Sequence, residues 1–175
     1  MEFSSFKINL DDLRISFNKF HLQENGVNVI VGRSGSGKTT LLKYLHGVFP
    51  SSPILNTTYI SAENYFLFKP ILINFNSFDN RLMEYFKILF DESLEYYNNH
   101  LVSDLSFGQK TRFKLLRSSL SDKEILLYDE PTHGLDHHSV DKVIKFFSSI
   151  SKNKCIVLTT HEMRLVKCAA NVISL

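Results

Sequence analysis

Eight consecutive residues, Gly32, Arg33, Ser34, Gly35, Ser36, Gly37, Lys38 and Thr39, fit the pattern that cradles a chain of phosphates. Glycines let backbone N–H groups wrap anionic oxygens, Lys38 has the reach for β- and γ-phosphates, and the Thr39 hydroxyl can take a Mg²⁺ coordination position, with Thr40 following. The apolar run Val27, Asn28, Val29, Ile30, Val31 precedes the glycines, and Leu41, Leu42 and Leu45 follow at helical spacing. The loop is therefore expected between a buried strand and a helix N-terminus, where free donors and the helix dipole favour anions.

A second constellation lies at Asp129 and Glu130, where the apolar run Ile125 to Tyr128 ends in two carboxylates before Pro131. Strand ends are where open α/β sheets bind ligands. Asp129 suits a Mg²⁺ shell, and Glu130 can orient or deprotonate an attacking water. A third cluster, Leu105, Ser106, Phe107, Gly108, Gln109 and Lys110, reads as the start of a helix with Ser106 as its N-cap and a second set of anion-binding donors.

These residues need elements to position them. Phe6, Ile8 and Leu10 alternate, as do Leu13, Ile15 and Phe17, with Asp11 and Asp12 between them, which predicts an antiparallel hairpin. Ile125 to Tyr128 and Ile156 to Leu158 predict strands buried on both faces, and Val172 to Ser174 predicts a last strand. Helical faces are expected at Leu82, Tyr85, Phe86, Leu89 and Phe90, at Phe113, Leu116 and Leu120, and at Val140, Val143, Ile144 and Phe147. Asn74 to Asn80 reads as a subdomain junction. Alternating strands and helices give an α/β fold in one domain over 1–175, with a helical subdomain at approximately 70–112.

Composition narrows the classes. The chain has 175 residues, 43% hydrophobic and 22% charged, with a net charge of +2, so disorder is excluded and charge alone names neither nucleic acid nor lipid as partner. Two cysteines, Cys155 and Cys168, are too few for a disulfide scaffold and favour a reduced, intracellular setting. No secretion signal is visible between Met1 and Leu10, and no run approaches the ~20 apolar residues of a membrane span.

In this order the motifs resemble those of the ATP-binding-cassette (ABC) ATPases over nearly the whole chain. Gly32 to Thr39 is similar to the family's Walker A loop, Leu105 to Gln109 to its signature motif, and Leu126 to Glu130 to Walker B with the catalytic glutamate. Asp136 matches the D-loop and His161 the switch histidine. The resemblance implies a P-loop NTPase core and a head-to-tail homodimer, or pairing with a second ABC subunit. ATP and Mg²⁺ would be bound by the Walker motifs of one subunit, with Ser106, Gly108 and Gln109 of the other completing the site. Glu130, His161 and Lys38 would act on the reaction, and an integral membrane permease would be the partner, placing the chain on the cytoplasmic face of the membrane. No nucleic acid is expected.

Four departures from the family bear on these expectations. Phe107 stands where the signature motif usually has glycine, which predicts reduced or altered catalysis with ATP binding kept. Ala62 or Glu63 stands at the position of the Mg²⁺-sensing glutamine, and Glu63 could reach the metal. Only 42 positions separate Glu63 from Leu105, and the chain ends at Leu175, so a minimal cassette without regulatory extension is expected. No tyrosine precedes the phosphate loop where the family stacks one on adenine; Phe6 could substitute or serve the core. The alternatives are a soluble non-transport ABC ATPase, a binding-only regulator with weak hydrolysis, and a small-molecule kinase, for which no arginine lid is visible.

Overall fold

The computed structural model describes residues 1–10, 13–61, 80–97 and 100–175. Two antiparallel pairs open the chain: β1 (Glu2–Phe3) with β4 (Phe20–His21), and β2 (Phe6–Leu10) with β3 (Leu13–Phe17). The register of the second pair sets Phe6 opposite Phe17 and Ile8 opposite Ile15, so the expected hairpin is present. Its Asp11–Asp12 connection lies outside the described residues. Phe6 stacks on Tyr44 at 4.1 Å and on Phe17 at 5.0 Å, which engages its ring in an aromatic cluster of the chain itself.

Five parallel strands form the main sheet: β5 (Gly26–Val31), β6 (Thr57–Ile60), β7 (Ile125–Asp129), β8 (Cys155–Thr159) and β9 (Asn171–Ser174), in the spatial order β6-β7-β8-β5-β9. Near-continuous apolar sequence in β5, β7 and β8 matches burial on both faces. Asn28 is the polar exception in β5, fully buried, and it is satisfied: its amide donates to the Gln23 and Ile156 carbonyls at 2.9 and 3.1 Å, and its oxygen accepts from the Gln23 N–H at 2.7 Å. An unpaired amide there would cost stability, so this residue pins the start of β5 to β8.

Helices cover both faces. On one, α1 (Lys38–Leu45) and the β2–β3 hairpin meet Ile30, Leu127 and Val157. On the other, α2 (Asn80–Leu89), α3 (Phe107–Ser118) and α4 (His137–Ile150) bury Leu126, Tyr128, Ile156 and Leu158. Tyr128 is fully buried, and its phenol is paired with the Ser118 hydroxyl at 2.6 Å. The buried Lys142 of α4 reaches Asp91, just past α2, and ties these two helices together. A short α5 (Met163–Lys167) leads into β9.

Two sequence expectations need correction. Leu120 is not on the buried face of α3: the helix ends at Ser118 with Ser119 as its C-cap, and Leu120 is 43% exposed. Leu115 takes the place in the core, because α3 is flanked by the sheet as well as by α2. On α4, Ile144 is only half-buried while Phe146 is fully buried, so the apolar face is centred one residue further along. The junction expected at Asn74–Asn80 falls outside the described residues except for Asn80, which begins α2. Cys155 and Cys168 are free thiols, and burial pushes the Cys155 thiol up to about 11.

Candidate nucleotide-binding site

Parallel strands point their C-terminal ends the same way, so the loops after β5, β7 and β8 converge at one edge of the sheet. The glycine-rich loop follows β5 and turns into α1 at Gly37, which sits at φ 95° as Gly35 does at φ 79°. These left-handed backbones aim successive N–H groups inward. At Gly32 a Cβ would stand 2.5 Å from the Ser36 Oγ and 3.0 Å from the Leu175 carbonyl, so only glycine fits the start of the loop. The Ser36 hydroxyl is buried with no hydrogen-bond partner among the described residues. Lys38 is buried, and its ammonium donates to the Gly32 and Arg33 carbonyls at 3.0 and 3.1 Å, closing the loop over itself. Arg33, Ser34 and Gly35 form the exposed rim, with Thr40 half-buried one turn below.

Asp129 is the last residue of β7, and Glu130 follows it directly in the turn beyond the strand. Asp129 follows Leu127 on the α1 side, and there its Oδ2 accepts from the Thr39 hydroxyl at 2.9 Å. Its Oδ1 accepts from the Thr159 hydroxyl at 2.7 Å, across the β7–β8 register that pairs Asp129 with Thr159. The same Thr159 oxygen accepts the Glu130 backbone N–H at 3.0 Å, so one buried hydroxyl fixes the carboxylate of one residue and the main chain of the next. Glu130 has φ 48°, a left-handed conformation costly for a residue with a Cβ, at the turn leading into Pro131. Its Oε1 lies 3.4 Å from the His161 Nε2, and the His161 ring is largely exposed.

A hydroxyl beside a single carboxylate is a hard-oxygen donor pair, suited to Mg²⁺ held by few protein ligands together with phosphate oxygens and water. Among the described residues no cluster of three or more His, Cys, Asp or Glu offers a metal cage, and none is needed for that mode of binding. Thr39 and Asp129 thus fit the metal. Glu63 and Ala62, the other expected contributors, lie outside the described residues.

The Ser106 cluster serves its own helix. Ser106 accepts the Gln109 N–H at 3.2 Å, and the Gln109 Oε1 accepts the Ser106 N–H at 2.9 Å, a reciprocal capping box. The Gln109 amide also donates to the Tyr97 hydroxyl at 3.3 Å, so both ends of that side chain are engaged within the subunit. Phe107 is 53% exposed, with its ring against Gly134: a Cβ on Gly134 would stand 3.0 Å from it. Asp136 caps α4, accepting from the Ser139 N–H at 2.8 Å, and that bond holds its carboxyl below the usual carboxylate range. Replacing Ser106 by Ala is expected to cost about 1 kcal/mol, read as a lower urea midpoint without nucleotide. An unchanged midpoint would show that the box does not hold the start of α3.

Tyr59 and Thr159 are the site residues that motif reading missed. Both depend on which strands lie beside β7 and in what register, which no local sequence pattern encodes.

A protein-family model described as "AAA domain, putative AbiEii toxin, Type IV TA system" matches residues 61–167. The cytochrome c biogenesis ATP-binding export protein CcmA of Reclinomonas americana is 35% identical, the match covering 81% of this chain and 75% of that one. Methionine import ATP-binding protein MetN 1 of Enterococcus faecalis is 30% identical, with 83% of this chain matching half of its length. Among solved structures, the ATP-binding cassette MJ0796, a dimer bound to ADP and Pi in a post-hydrolysis state, has the same fold with a TM-score of 0.69 at 20% identity, covering 98% of this chain and 91% of that one.

Proposed function

The chain belongs to the ATP-binding-cassette family of ATP-binding subunits, and on that premise we propose that it hydrolyses ATP to energise a separate integral membrane permease. The observation that carries this reading is the meeting of Lys38, Thr39, Asp129, Glu130 and His161 at one sheet edge. Backbone donors from Gly32 to Thr39 would wrap the phosphates while Lys38 releases the loop carbonyls for β- and γ-oxygens. Thr39 and Asp129 would hold Mg²⁺, which neutralises charge on the phosphate oxygens when bound. Glu130 would orient the attacking water and accept its proton, with His161 beside it facing the transferred phosphate.

Ser106 and Gly108 would complete the ATP site of a second subunit in a head-to-tail dimer, so that closure and reopening deliver the mechanical step. No described helix is long and apolar enough to cross a membrane, which leaves the span to another chain under this reading. The test is purification of the tagged protein from gently solubilised native membranes. A polytopic membrane protein in stoichiometric amount, raising ATP turnover when reconstituted with the chain, is the expected result. Recovery only from the soluble fraction without such a partner would overturn the transport role.

A further inference from the structure

We propose that Tyr59 is a positioning residue for the Mg²⁺ site, its phenol holding the Asp129 carboxylate in the orientation in which it serves the metal. The inference rests on the reading of Thr39 and Asp129 as that site. The parallel register sets Tyr59 beside Leu127, two residues before Asp129 on the same face of the sheet. An aromatic side chain spans that diagonal. Its hydroxyl donates to the Asp129 Oδ2 at 3.1 Å, the same oxygen that accepts from Thr39 at 2.9 Å, while Oδ1 takes Thr159 at 2.7 Å. Hydroxyls from β6, α1 and β8 therefore hold the carboxylate from three sides.

With the Thr39 hydroxyl engaged elsewhere, Tyr59 and Thr159 would remain as donors to Asp129, one on each oxygen. Such outer hydrogen bonds fix the plane of a ligating carboxylate and set how well it meets the ion. The Tyr59 ring is itself steadied: it stacks on His46 at 5.7 Å, and His46 Nδ1 is 2.8 Å from the Thr57 hydroxyl on the same strand. α1 thus contributes to the site twice, through Thr39 at its start and through its C-cap His46.

The experiment compares wild type with Tyr59→Phe, which keeps the stacked ring and deletes only the donor. A fluorescent ATP analogue is titrated in EDTA, and again at a series of Mg²⁺ concentrations, so that the Mg²⁺ midpoint is read from binding and not from turnover. The expected result is unchanged affinity in EDTA with a Mg²⁺ midpoint raised about tenfold, the lower end of what losing an outer-shell partner costs. A wild-type midpoint in Tyr59→Phe overturns the proposal. Tyr59→Met, which also lacks the donor, replaces it in the same titration if the phenylalanine variant does not fold. If Mg²⁺ leaves nucleotide affinity and turnover of the wild type itself unchanged, the metal-site reading has failed, an outcome distinct from a failure of the role of Tyr59.

Discussion

Glu130→Gln is expected to lower steady-state ATP turnover by about 10²–10⁴-fold, the range that a positioned general base contributes. The substitution is nearly isosteric and leaves the backbone bond from the residue-130 N–H to Thr159 in place, so the turn and Asp129 keep their geometry. What disappears is the carboxylate that can accept a proton from water and face His161 at 3.4 Å. Nucleotide binding should persist, because the phosphate cradle, Lys38 and the Thr39–Asp129 pair are untouched. The measurement is phosphate release at saturating Mg²⁺ and ATP, paired with a binding titration on the same preparations. Equal turnover in the two proteins would remove Glu130 from the chemistry. Equal loss of binding and turnover would instead show that the residue holds the turn.

The sequence carried most of what this prediction uses, and the reasons are physical. β5, β7 and β8 were legible because strands buried on both faces need unbroken apolar runs, and the residues closing them are where a parallel sheet presents its ligands. The phosphate loop was legible because left-handed turns and close approach leave a signature in glycine. The end of α3 was not, since Leu120 continued the helical period past a C-cap serine with no breaker to mark the stop. Tyr59 was also invisible, because its role depends on which strand lies beside β7, a pairing no local pattern encodes. Gln109, which the motif assigns to the nucleotide of a second subunit, also has a local task that the motif does not show: its amide bonds the Ser106 N–H and the Tyr97 hydroxyl.

Lys38→Ala separates binding from chemistry in the other direction. In the structure the Lys38 ammonium is buried and donates to the Gly32 and Arg33 carbonyls, so a cation is already held where a phosphate chain would lie along the loop. A phosphate oxygen is a stronger acceptor than a carbonyl, and a hydrogen bond to a charged group is worth about 1.5–3 kcal/mol. ATP affinity should therefore fall by about 10- to 100-fold, measured by titration with a fluorescent ATP analogue. AMP gives the control, because it lacks the β- and γ-phosphates that the lysine serves and its weak binding should change little. Lys38→Arg should not restore affinity, since a planar guanidinium cannot occupy a site shaped for a compact point charge between two carbonyls. If Lys38→Ala binds ATP as wild type does, the lysine is only a clasp for the loop. In that case the site would have to draw its phosphate affinity from the backbone N–H groups alone.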